Sequence, residues 1–128
     1  MHAKDPVSGP LAGIKVVDLT RGMPGAIATM LLADSGADVL KLQNPSGNLL
    51  ESSAAFGVRN RGKKSVALDL SQPEDLRASL ELARDADVFL ESFRPGVAER
   101  LGVGYSAIKD ANPGIVYCAI SAFGISGP

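Results

Sequence analysis

The sequence contains one histidine and one cysteine, and each scarcity removes a class of chemistry. The histidine is His2, at a terminus expected to fray, so Ser-His-Asp and Cys-His nucleophile schemes and histidine-based metal clusters are excluded from this chain. No metal is therefore expected. Cys118 has no partner for an intrachain disulfide and fits a reducing compartment, and its simplest role is a small apolar side chain in a strand. No apolar run approaches the ~20 residues that span a bilayer. The opening MHAKDPVSGP lacks the apolar core of a secretory signal. A cytoplasmic protein without membrane association is expected. With 13 basic against 14 acidic side chains and a net charge of −1, there is no cationic surplus for nucleic acid.

What is present is ordinary globular material: 128 residues, 45% hydrophobic and 21% charged, enough for a real core. IKVVDL (14–19) reads as a buried strand. TRGMPG follows, with Pro24 where a helix can begin. Ile27, Met30, Leu31 and Asp34 then recur at helical spacing, and Gly36 closes the segment. DVLKL (38–42) is a second strand, and residues 43–62, rich in Asn, Ser and Gly, read as a long loop. SVALDL (65–70) is a third strand. Ser71-Gln72-Pro73-Glu74 has the S-x-x-E form of a capping box, opening a helix with Leu76, Leu80 and Ala83 on one face. DVFLES (87–92) is a fourth strand. A short helix from Pro95 is stopped by Gly102, another capped by Ser106 ends before Pro113, and IVYCAIS (115–121) is a fifth strand. The alternation predicts an α/β fold: a Rossmann-like parallel sheet with helices on both faces and right-handed crossovers. Residues 1–8 are expected to be a flexible N-terminus. The chain halts at Pro128 in a Gly/Pro-rich loop, so residues 9–128 read as the N-terminal part of a longer domain.

GVRNRGKKS (57–65) comes within one residue of G-x-x-x-x-G-K-[ST], but Lys64 stands where Ser or Thr should and Ser65 comes one place late. A phosphate loop follows a strand and opens a helix, so that backbone N–H groups and the helix dipole converge on phosphate. Here a loop precedes and a strand follows, which rejects that reading. Arg59, Arg61, Lys63 and Lys64 are then either a solvated edge or an anion site. ESFRPGVAERLG (91–102) raises the same choice at a strand end, where Arg94 is either solvated or a forked donor to phosphate beside a helix N-terminus. TRGMPG is a third strand-end turn. Three such turns side by side on one rim would hold a long phosphate-bearing cofactor with an adenosine at one end.

Four stretches, GPLAGIKVVDLTRGMPGAIATMLLADSGADVLKLQNP, NRGKKSVALDLS, ADVFLESFRPGVAERLGVGY and NPGIVYCAISAFGISGP, stand in an order and spacing that resembles the class III coenzyme A transferases. That family includes formyl-CoA transferase, the carnitine CoA-transferase group and α-methylacyl-CoA racemase. The resemblance implies the N-terminal portion of the family's large Rossmann-like domain, with coenzyme A or acyl-CoA and a carboxylic acid as small-molecule partners and a homodimer in the full-length protein. It implies transfer through an aspartyl intermediate whose nucleophile lies beyond residue 128, so that no catalytic residue is expected here and the chain alone is expected to be inactive. The alternatives are a 2-methylacyl-CoA racemase, or a non-catalytic acyl-CoA or nucleotide-binding module or split subunit. The matching positions make Leu68, Asp69, Leu70 and Ser71 nucleotide contacts. Ser92, Phe93 and Arg94 pack on the same cofactor, Arg100 approaches phosphate, and Met23 and Pro24 lie near the thiol arm. Lys63 and Lys64 become phosphate neighbours. After K-[IV]-E the family commonly has an arginine, but KLQNP places Gln43 and Asn44 there; Asn44 stays a contact candidate, with Arg59 or Arg61 as substitutes for the missing charge. Asp18 and Asp69 do not match the nucleophile and are expected to make structural hydrogen bonds.

Overall fold

In a computed structural model that describes residues 9–46 and 54–127, five strands form one parallel sheet. The expected flexible segment 1–8 lies outside the described residues. In chain order the elements are β1 (Lys15–Leu19), α1 (Met23–Asp34), β2 (Asp38–Gln43), α2 (Ala54–Arg59), β3 (Lys64–Ala67), α3 (Pro73–Arg84), β4 (Val88–Glu91), α4 (Val97–Leu101), α5 (Tyr105–Ala111) and β5 (Val116–Ala119). The sheet order is β3-β2-β1-β4-β5. Every pairing is parallel, with Val17 opposite Leu40 on one side and Phe89 on the other.

Alternation along the central strands feeds two cores, because successive side chains point to opposite faces. Val17, Leu19, Leu42 and Phe89 meet Ala83, Ala98, Val103 and Ile108 on the face covered by α3, α4 and α5. Leu76, Leu80 and Ala83 of α3 pack there, on the face their spacing predicts. Val16, Val39 and Leu90 form the opposite core with Ala37, joined by Leu32 and Ala33 of α1 and by half-buried Cys118. Helices on both faces are thus observed.

Several local expectations are corrected. On α1 the buried positions are Gly25, Ala26 and Thr29, whereas Ile27 and Leu31 face outward. The helix seats its small residues on the sheet, so the spacing of its large apolar side chains marks the wrong face. Of the loop expected over 43–62, residues 47–53 lie outside the described residues; Gln43 belongs to β2, and Ala54–Arg59 form α2, a helix of six residues that packs against α1. It is too short to show a period. Ser71 makes no capping box: its hydroxyl donates to Asp69 Oδ1 at 2.6 Å, and Gln72 is the N-cap of α3. Asp75 in the first turn reaches back instead, its Oδ2 accepting the Asp69 N–H at 2.8 Å. The helix after Pro95 starts at Val97, because Gly96 sits in the left-handed region with φ 87°. The next helix starts from Gly104, not from Ser106. The two edge strands are shorter than expected, four residues each.

The N-terminus of α1 lies so close to β1 that a Cβ at Gly25 would collide with the side chain of Thr20. Gly25→Ala is therefore expected to lower unfolding free energy by about 1–3 kcal/mol, the range for overpacking a tight site. Urea denaturation followed by circular dichroism measures this.

Candidate functional site

In a parallel sheet all strands end on the same rim. The chain runs outward from β1 to β2 and β3, then returns to place β4 on the other side of β1. The crevice at the carboxyl ends of β1 and β4 is therefore the point where strand order reverses, the favoured ligand position in open α/β sheets. Ser92 bridges it. The Arg21 N–H donates to Ser92 Oγ at 2.7 Å, and that hydroxyl donates to the Arg21 carbonyl at 3.0 Å. The Arg21 guanidinium carbon lies 5.7 Å from the Phe93 ring centroid, within cation–π range.

Two cavities open on this rim and share one residue. The larger, about 500 Å³, is lined by Arg21, Pro24, Ser92, Phe93, Arg94 and the 120–124 segment. The smaller, about 210 Å³, is lined by Arg21, Asn44 and Leu68 through Ser71, among others. Of the residues singled out in the sequence, Asn44, Leu68, Asp69, Leu70 and Ser71 gather in the smaller cavity, and Pro24, Ser92, Phe93 and Arg94 in the larger. Met23 and Arg100 line neither; Met23 is exposed beside Pro24, and Arg100 precedes Leu101, which borders the smaller cavity. Arg21, common to both, was missed. The sequence marks the turn TRGMPG as a helix start and as one of three strand-end turns suited to a cofactor, but nothing in it singles out the basic residue.

The smaller cavity keeps a fixed negative charge. Asp69 Oδ1 accepts from the Ser71 hydroxyl at 2.6 Å and the Ser71 N–H at 3.0 Å, and these bonds hold its carboxyl below the usual aspartate value. Asn44 Oδ1 accepts from Ser46 N–H and Oγ at 2.9 and 2.7 Å, which fixes the turn after β2.

Behind the rim, on the α1 face, lies a buried charge cluster. Asp18 is fully buried on β1. Its Oδ1 accepts from the Thr20 N–H at 2.8 Å and the Thr20 hydroxyl at 2.5 Å, and Oδ2 accepts from the Thr29 hydroxyl at 2.6 Å. Lys63 Nζ stands 3.5 Å and Lys41 Nζ 3.9 Å from the same Oδ2. Lys41 also donates to the Thr20 carbonyl at 3.1 Å, and Lys63 to the Ala26 carbonyl at 3.1 Å and Asn60 Oδ1 at 2.9 Å. Burial pushes the Lys63 ammonium below its ordinary pKa; Asp18 pulls it back up and Lys41 opposes that.

This geometry corrects the reading of the cationic turn. Lys63 points inward, with its side chain 1% exposed, and is no phosphate neighbour. Lys64 pairs with Asp38, the first residue of β2, at 3.6 Å, so it lies at the opposite end of the strands. Arg61 pairs with Asp34 at 2.7 Å on the surface, a bond that lowers the Asp34 pKa and raises that of Arg61.

A third cavity, about 400 Å³, opens beside Glu91, Glu99, Tyr105 and Tyr117. Glu91 is buried, and its Oε2 accepts the Phe93 N–H at 2.8 Å, fixing the turn that presents Phe93. The Tyr117 hydroxyl lies 3.1 Å from Glu91 Oε1 and 3.2 Å from the Val103 carbonyl. Burial first, then the Glu91 charge, raises the Tyr117 pKa well above 10.0.

Residues 11–128 match the sequence profile of CoA-transferase family III. The chain is 40% identical over 129 residues to succinyl-CoA:mesaconate CoA-transferase of Haloarcula hispanica, covering 91% of this chain and 33% of that protein. It is 38% identical over 130 residues to succinyl-CoA:glutarate CoA-transferase of Homo sapiens, covering 93% and 30%. The crystal structure of a CAIB/BAIF family protein from Brucella suis superposes with TM-score 0.90 at 34% identity, covering 94% of this chain and 35% of that one. The chain thus spans about a third of the length of the curated relatives it matches.

Two outcomes follow from the buried groups. Asp18→Asn strands two buried ammonium groups and is expected to cost about 3–5 kcal/mol. Urea denaturation measures it, and adding Lys63→Met to that variant should recover part of the loss. For Tyr117, the fold favours the neutral phenol, so its contribution to stability is complete below pH 10.0 and fades as pH climbs beyond it. A phenolate absorbance titration should show an ionisation above the ordinary tyrosine range that vanishes in Tyr117→Phe.

Proposed function

The chain belongs to CoA-transferase family III, and from that premise we propose that it forms the coenzyme A-binding portion of an enzyme that moves CoA between carboxylic acids. The observation that carries this reading is the pair of cavities meeting at the β1/β4 crevice, into which Pro24, Asn44, Leu68 to Ser71 and Ser92 to Arg94 fall. The adenosine end of the carrier occupies the smaller cavity between Asn44 and Leu68–Ser71. There Leu68 and Leu70 offer apolar surface, and the Asp69 carboxylate accepts from hydroxyl or amino groups. The pantetheine arm runs through the larger, more apolar cavity along Phe93 toward Pro24, and the thiol emerges near exposed Met23.

The acyl-bearing carboxylate of the reaction is supplied by a part of the enzyme other than these cavities. Asp18 is sealed behind the rim by two threonines and two lysines, and Asp69 is tied to Ser71. A carboxylate nucleophile divides acyl transfer into two easier steps through an anhydride. This chain's contribution is to hold the thiol carrier in place for those steps, which is a matter of orientation and restricted freedom.

Titration calorimetry of the chain with coenzyme A is expected to give saturable one-to-one binding. Ser71→Glu, which adds a second carboxylate at the exposed rim of the smaller cavity, should weaken that binding at least about tenfold by like-charge repulsion. Absence of binding, or an unchanged affinity in Ser71→Glu, refutes the assignment.

A further inference from the structure

We propose that Arg21 is the diphosphate-binding residue of this site, a specificity determinant that selects thiol carriers bearing a diphosphate over the bare pantetheine arm. The inference rests on the functional reading above and adds a residue that no sequence motif marked. In coenzyme A the diphosphate joins the adenosine to the pantetheine arm. If one end fills the smaller cavity and the other the larger, the group that crosses between them is the diphosphate, and the residue on the shared wall is Arg21.

Four observations support the assignment. The guanidinium carbon stands over the Phe93 ring at 5.7 Å from its centroid and, among the described residues, no carboxylate lies within ion-pairing distance of it. A planar fork of donors held on an aromatic face is prearranged for two anionic oxygens. The backbone beneath is held by both bonds of Ser92, so the side chain springs from a fixed point. Among the other cations, Lys41 is held on the Thr20 carbonyl, Lys63 on the Ala26 carbonyl and Arg61 on Asp34, while Arg94 lines only the larger cavity and Arg100 lines neither, so Arg21 alone stands where the two meet. Finally, the charged residues lining the smaller cavity are Asp69, which is ionised and disfavours an anion beside it, and Arg21, so the wall shared with the larger cavity is the side of it that favours an anion. Arg21 thereby supplies from the β1 turn the positive charge that is absent after β2, where Gln43 and Asn44 stand.

The test is calorimetry of the full chain, wild type and Arg21→Gln, with coenzyme A, dephospho-CoA and pantetheine; pantetheine is read by competition. Arg21 is exposed, and unchanged thermal unfolding checks that the variant is folded. The expected result is a loss of at least about tenfold for coenzyme A and dephospho-CoA alike, with pantetheine unaffected and Arg21→Lys intermediate, because an ammonium keeps the charge but loses the fork. An equal loss for all three ligands overturns the proposal, as does a loss confined to coenzyme A, which would assign Arg21 to the 3′-phosphate. Unchanged affinity in Arg21→Gln, while Ser71→Glu still weakens coenzyme A, overturns this inference and leaves the functional reading standing. If wild-type protein binds no coenzyme A, both fall.

Discussion

One buried carboxylate organises the molecule. Asp18 sits at the middle of the sheet with both oxygens occupied, and two lysines from separate parts of the chain converge on it. Lys41 comes from β2, Lys63 from the turn before β3, and Thr29 from α1. Burying three charges is expensive unless each is paired and hydrogen-bonded. Here each ammonium also finds a backbone carbonyl, on Thr20 or Ala26, and those carbonyls belong to the turn and first helical residues that form the rim. The price of the cluster is thus tied to the placement of the site: if the rim shifts, a buried charge loses its partner. A wholly apolar core would tolerate such a shift more easily, because its contacts carry no direction.

That constraint explains why a stretch so close to a phosphate loop does another job. In a phosphate loop the lysine points out of a strand-to-helix turn toward the ligand. In the turn before β3 the glycine, Gly62, adopts φ 74° and the next residue turns beneath α1, so the lysine ends beside Asp18. The same residue types serve opposite ends. Positive charge for an outside anion is left to the strand-end turns, where Arg21 and Arg94 line the larger cavity.

The strands were legible because a parallel sheet covered on both faces writes each strand as a short apolar run. IKVVDL, DVLKL and DVFLES match β1, β2 and β4 to within a residue at most boundaries. Edge strands were overextended because their outer residues are exposed and nothing local marks the last ladder bond. The spacing of large apolar residues along α1 points to the wrong face for a physical reason. Small and polar residues fill its sheet side, where Thr29 serves Asp18 and Gly25 admits Thr20, so Met23, Ile27 and Leu31 stand outside. Two of the three turns picked out in the sequence, TRGMPG and the one after DVFLES, stand on the rim, whereas GVRNRGKKS precedes β3 and lies at the other end of the strands; the remaining candidate positions come from the family match. Arg21 was not legible, because its importance arises from β4 returning to the flank of β1, a pairing between residues some seventy positions apart.

The pair of hydrogen bonds between Ser92 and the Arg21 backbone separates two properties that usually change together. The main chain at this point is fastened by a neighbour's hydroxyl, not by its own side chain, so position 21 resembles an interchangeable tool on a fixed mount. A library randomised at that one codon would sample new ligand chemistries on an undisturbed scaffold, whereas randomising Ser92 would loosen the mount itself.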